Sequence, residues 1–128
     1  SLMRDKKILL VDDDSFVRES MQAAFESLGC DVLTASNGLE GLRLATMESP
    51  DVIVLDLIMP KRGGMHVLEK LRKMGSSDTR VIVISACESS RHAEQVMALG
   101  ADEFLPKPFS MHELVDCVQR CCQCLALV

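Results

Sequence analysis

Five side chains of this 128-residue chain have the types and positions to do chemistry together: the carboxylates of Asp12, Asp13 and Asp56, the hydroxyl of Ser85 and the ammonium of Lys107. Each stands at or just past the end of a short apolar run. Asp12-Asp13 closes Lys7-Ile-Leu-Leu-Val11, Asp56 closes Val52-Ile-Val-Leu55, Ser85 closes Arg80-Val-Ile-Val-Ile84, and Lys107 follows Glu103-Phe-Leu105. Carboxylates crowded together repel unless something neutralises them. A hard divalent cation does so, and Mg²⁺ characteristically takes one or two carboxylates plus waters and phosphate oxygens. With such a metal a phosphoryl group can be held in line for attack by a carboxylate, its equatorial oxygens needing cations and donors. Mg²⁺, Lys107 and Ser85 would supply that set. Asp56 would then be the nucleophile and form an aspartyl phosphate.

Whether these groups meet depends on the elements that carry them. The stretch around Asp56 is continuously apolar and β-branched, bounded by Pro50 and Pro60, which suits a strand buried on both faces of a parallel sheet. An aspartate at the carboxyl end of such a strand sits where open α/β sheets bind ligands. Around it the spacing predicts strands at Lys7–Val11, Asp31–Ala35, Asp51–Leu55, Arg80–Ile84 and Glu103–Leu105. Helices are predicted over Ser15–Leu28, after a Ser36-Asn37-Gly38 turn, through Val67–Met74, over Ser90–Leu99, and after the capping box Ser110-x-x-Glu113. Gly29, Gly75 and Gly100 are the expected helix stops. Five β-then-α units in strict alternation specify an α/β fold, a parallel sheet with helices on both faces. The ends of the first, third and fourth strands can then converge on one crevice.

Composition removes other classes. Apolar residues are 48% and charged residues 26%, so the chain can bury a core. With no Trp or Tyr and four Phe, that core is aliphatic. A net charge of −5 argues against direct nucleic-acid binding by this domain. No apolar run reaches the roughly 18 residues of a membrane span. The polar start does not resemble a signal peptide, and Ser1-Leu2 ahead of Met3 is read as an appended remnant. The expected location is the cytoplasm. Of the six cysteines, Cys117, Cys121, Cys122 and Cys124 crowd one segment without a second ligand group, a poor zinc site; buried thiols in a reducing compartment are the plainer reading.

Four motifs, L-V-D-D-D-S, V-L-D-L-I-M-P, I-S-A and L-P-K-P-F, stand in an order and spacing that resembles the receiver domain of two-component response regulators, over Lys7 to about Gln123. The resemblance implies a flavodoxin-like doubly wound (βα)5 fold with strand order 2-1-3-4-5, over a domain of residues 3–124. Residues 125–128 would be a tail or a junction to a further domain. It implies Asp56 as phosphoacceptor, Asp12 and Asp13 as Mg²⁺ ligands with the backbone carbonyl of Ile58, Ser85 as switch hydroxyl, Lys107 as phosphate-pairing lysine and Phe104 as switch aromatic. It also implies a cis peptide at Lys107–Pro108. The implied partner is a sensor histidine kinase or phosphotransfer protein. A homodimer through the fourth helix, fifth strand and fifth helix is a further expectation, since that surface would switch on phosphorylation. Such a domain catalyses its own phosphorylation and dephosphorylation and is otherwise not an enzyme.

Each assignment has a plainer alternative: a helix cap for Asp12 or Asp13, a backbone-bonded hydroxyl for Ser85, a solvated lysine for Lys107, core packing for Phe104. Arg62, Arg91 and His92 read as surface charge. The chain departs from many receivers at Gly63, where an acidic turn residue is frequent, and at Ser85, where threonine is. Gly64 keeps the matching glycine. Ile58 and Cys87 flank the path that the resemblance gives to the water attacking the phosphoryl group. An apolar side chain and a thiol orient water poorly, so slow self-dephosphorylation is expected. The competing function is a phosphorylation-independent interaction domain. A dinucleotide-binding or P-loop enzyme would need glycine motifs that are absent, and a haloacid-dehalogenase-type phosphatase would need an aspartate where Ile58 stands.

Overall fold

The computed structural model describes residues 2–59, 63–74, 78–86 and 90–126, the side chains as far as 123. Its elements run in strict alternation: β1 Lys7–Val11, α1 Ser15–Ser27, β2 Asp31–Ala35, α2 Gly38–Glu48, β3 Val52–Asp56, α3 Gly64–Lys73, β4 Arg80–Ser85, α4 Ser90–Ala98, β5 Glu103–Pro106 and α5 Met111–Ala126. The five strands form one sheet in the order β2-β1-β3-β4-β5, every pairing parallel.

The side-chain alternation of a strand splits the core into two layers. Ile8, Leu10, Val52, Val54, Ile82 and Ile84 meet Met21 and Phe25 of α1 and Leu114, Cys117, Val118, Cys121 and Cys122 of α5. Leu9, Val11, Ile53, Leu55, Val81 and Val83 meet Ala45 of α2, Val67, Leu68 and Leu71 of α3, and Val96 of α4. The central β3 is buried at all of its positions, as its unbroken apolar run requires. Met3, ahead of β1, is also in the core; the Asp5 N–H donates to the Gly29 carbonyl at 2.9 Å. Cys30, Cys117, Cys121 and Cys122 are free, buried thiols. Burial pushes Cys30 and Cys117 up to about 11 and Cys121 to about 12, so they pack as small apolar groups. No described helix is long and apolar enough to cross a membrane.

Local signals set the ends of the helices. The Asp14 carboxylate caps α1 through the Phe16 and Val17 N–H groups, and Asn37 caps α2 through the Glu40 N–H. At α5 the Ser110 hydroxyl accepts from the Glu113 N–H at 3.0 Å while the Glu113 carboxylate accepts from the Ser110 N–H at 3.3 Å. Gly29 and Gly100 follow α1 and α4 with φ of +84° and +109°; Gly75 lies outside the described residues.

Three expectations need correction. Gly38 opens α2 instead of ending a turn, because the Asn37 cap already supplies the helix's first bond. Met74 is not on the apolar stripe of α3: it is the C-cap and 47% exposed. Strands β3, β4 and β5 each run one residue past their apolar stretches, because the parallel ladder continues through Asp56↔Ile84 and Ser85↔Pro106. Asp56 and Ser85 therefore stand on the sheet itself, held by its hydrogen bonds.

Candidate functional site

The carboxyl ends of β1 and β3 place three carboxylates in one group. One oxygen each of Asp12, Asp13 and Asp56 lies within 4.8 Å of the others. Asp12 and Asp56 are 0% and 4% exposed, so their like charges face each other with little water between them, while Asp13 is exposed. Lys107 reaches in from the loop after β5, its Nζ 3.5 Å from Asp12 Oδ2 and 3.6 Å from Asp56 Oδ1. The Lys107–Pro108 peptide is cis, as the family resemblance implied. The Lys107 N–H donates to the Ser85 carbonyl at 2.7 Å, tying that loop to the end of β4, where the Ser85 side chain is fully buried.

Asp12 is fixed from two sides. Its carboxylate accepts from the Asp14 N–H at 2.9 Å, and its carbonyl accepts from Arg18 Nη1 at 2.8 Å. Burial, then the Asp12 charge, push the Asp56 carboxyl up to about 6 from its ordinary 3.8; Lys107 and the Ile58 N–H pull the other way, and Asp13 adds a smaller upward push. One ammonium thus leaves this acidic group under-compensated. Its donors are hard carboxylate oxygens, which suits a divalent cation of the Mg²⁺ type.

Gly64, at the first turn of α3, lies directly against the backbone of Asp56 and Leu57. Its N–H donates to the Leu57 carbonyl at 2.9 Å, and a Cβ there would stand 2.6 Å from the Asp56 carbonyl oxygen. Only a residue without a side chain lets α3 start against the Asp56–Leu57 peptide.

The response regulator receiver domain family model matches residues 8–119. This chain belongs to that family. Among curated relatives, "Response regulator MprA" of Mycobacterium leprae is 38% identical over 109 residues, 85% of this chain and 47% of that protein. "Probable transcriptional regulator ycf27" of Porphyridium aerugineum is 38% identical over 112 residues, 88% of this chain and 46% of that protein. The chain thus spans about half the length of the curated relatives it matches. Among solved structures, the receiver domain of Francisella response regulator 1452 superposes with a TM-score of 0.88 at 34% identity, covering 93% of this chain and 98% of that one. Vibrio cholerae chemotaxis protein CheY4 gives 0.85 at 29% identity, covering 91% and 98%.

The structure brings Asp12, Asp13, Asp56 and Lys107 together, with Ser85 one strand away from Asp56. The Ile58 side chain is 63% exposed; Cys87 lies outside the described residues, as does Arg62. Phe104 is half-buried on β5, packed among the residues of the α2, α3 and α4 layer. Two features escape a sequence reading. His92, expected as surface charge, is half-buried on α4 with its ring against Phe104, because α4 turns that position toward β5. Arg18 braces Asp12 from the first turn of α1, and nothing in its sequence context distinguishes it from the chain's other cations.

Proposed function

We propose that this receiver accepts a phosphoryl group on Asp56 from a histidine kinase or phosphotransfer protein, with Mg²⁺ held by Asp12, Asp13, Asp56 and the Ile58 carbonyl. The observation that carries the reading is the under-neutralised carboxylate group, with Lys107 at 3.5 and 3.6 Å from its two buried members, Asp12 and Asp56. The metal, when bound, supplies charge neutralisation for the carboxylates and for the phosphoryl oxygens. An Asp56 carboxylate oxygen attacks phosphorus and forms the acyl phosphate bond; the bond from phosphorus to the donor nitrogen breaks, its electron pair leaving with the imidazole. Lys107 then passes from the carboxylates to the new phosphoryl oxygens, and Ser85 donates to another. Movement of Ser85 leaves room that Phe104 enters, altering the surface of α4, β5 and α5 through which a partner, a second copy of the chain or a further domain reads the signal. The domain works in the cytoplasm and turns over no substrate besides its own phosphoryl group. Ile58, apolar and exposed beside Asp56, offers the attacking water no hydrogen bond, so the phosphorylated state is long-lived.

The test is intact mass after incubation with acetyl phosphate, with and without Mg²⁺, for the wild type and Asp56→Ala. The expected result is a Mg²⁺-dependent gain of one phosphoryl group in the wild type that the variant lacks. No gain in the wild type under any condition would refute the reading and leave a constitutive interaction module.

A further inference from the structure

Phe104 is not held by the sheet alone. It sits opposite Val83 in the β4–β5 ladder and half-buried among the residues of the α2, α3 and α4 layer. From α4, the His92 ring meets it edge-on, centroids 6.1 Å apart and planes at 77°. This is the T-shaped arrangement that aromatic rings prefer, with the positive edge of one ring toward the face of the other. A residue on one element of the output surface therefore grips the aromatic side chain on the next. The same arrangement has Lys107 paired directly with Asp12 and Asp56. A phosphoryl group on Asp56 draws Lys107 away from those carboxylates, so the His92–Phe104 contact belongs to the unmodified arrangement.

We infer that His92 is a positioning residue for the switch: its ring holds Phe104 in the unmodified arrangement and so sets how readily the α4–β5 surface responds to phosphorylation. The inference rests on the proposed phosphorylation reading and adds a regulator to it. Two coupled parts follow. Removing the ring leaves Phe104 freer to leave its site, which raises the population of the phosphoryl-competent arrangement in the unmodified protein. Apparent affinity for a phosphoryl mimic rises by the same factor, because it scales with that population. An edge-to-face pair of this kind corresponds to roughly a three- to tenfold change in such an equilibrium. His92 lies on α4, away from the carboxylates, so its loss leaves the chemistry at Asp56 intact.

The experiment uses wild type, His92→Ala and His92→Phe, with phenylalanine ring carbons labelled and the Phe104 signal assigned through Phe104→Leu. Beryllium trifluoride with Mg²⁺ is the titrant, and the ring signal is followed throughout. The expected result has three parts: a displaced Phe104 signal in unmodified His92→Ala, beryllofluoride binding about three- to tenfold tighter than wild type, and recovery of both in His92→Phe, which restores an aromatic edge. A purely structural role would lower Tm without the tighter binding or the aromatic rescue. Equal or weaker binding by His92→Ala, with a wild-type ring that does respond to the titrant, overturns the role of His92 alone. A wild-type Phe104 signal that ignores saturating beryllofluoride overturns the switch reading, and the role of His92 with it.

Discussion

Replacing Gly64 by alanine tests whether α3 is seated directly on the Asp56–Leu57 peptide. The new Cβ would lie 2.6 Å from the Asp56 carbonyl oxygen, 2.6 Å from Leu57 Cα and 3.0 Å from the Leu57 carbonyl oxygen, where ordinary contact starts at 3.4 Å. These are backbone atoms, with no rotamer to move aside, so α3 and the β3 end must part by most of an ångström. Overpacking of a fixed site costs up to about 3 kcal/mol, and alanine returns roughly 1 kcal/mol through its better helix propensity. The net loss is about 2 kcal/mol. For a domain of this length that lowers Tm by on the order of 8 °C. The adjacent Gly63→Ala is the matched control. Its Cβ would meet nothing closer than the Leu57 carbonyl oxygen at 3.9 Å, its φ of −56° suits alanine, and Gly63 has no side-chain cap to lose. Thermal denaturation should therefore separate the two variants by most of that interval. Because the shift falls on the Asp56–Leu57 backbone, phosphorylation by acetyl phosphate should also slow in Gly64→Ala by about tenfold or more, since misplacing a reacting group by up to an ångström has such effects. If both variants melt within 2 °C of each other and accept phosphoryl groups at the same rate, the close approach is not a constraint and the reasoning fails.

Asp56 titrates near 6 in the folded protein against 3.8 unfolded, so its contribution to stability is complete below about pH 4 and is lost as pH rises through 6. In EDTA, urea melts should show the wild type losing up to about 3 kcal/mol relative to Asp56→Asn between about pH 4 and pH 7.5, and Mg²⁺ should remove most of that loss. A pH-independent difference would mean Asp56 is not electrostatically strained. At the opposite end of the sheet, the Asp102 carboxylate accepts from Arg72 Nη2 at 2.9 Å and from the Val81 N–H at 2.8 Å, and pairs with Arg80 at 3.4 Å. Asp102→Ala should cost about 2 kcal/mol in a denaturant titration, with phosphorylation unaffected; a neutral result would show that water replaces the clasp. Ile58→Asn should speed the decay of phosphorylated protein in excess Mg²⁺ several-fold, and a rapid wild-type decay that the substitution leaves equal or slower would refute slow self-dephosphorylation.

The sequence by itself determined the fold and the order of the chemistry along it. Unbroken apolar runs such as Val52–Leu55 suit a sheet covered on both faces, and the intervening 3.6-residue periodicity supplies the covering helices. Caps and stops are local physics, which is why Ser110, Glu113, Gly29 and Gly100 were legible one residue at a time. That Asp12, Asp56 and Lys107 would meet was legible because each ends or follows a strand, and parallel strands deliver their carboxyl ends to one edge. Tertiary structure decided what depends on separation in space between residues far apart in the chain. That Asp12 and Asp56 are both out of water, and so push the Asp56 carboxyl upward, follows from how β1 and β3 pair and what lies over them. The clearance at Gly64 depends on where α3 meets β3, to within a fraction of an ångström. His92 read as surface charge because its neighbours along the chain are polar; its role depends on Phe104, twelve positions later, across a helix–strand contact that local sequence does not encode.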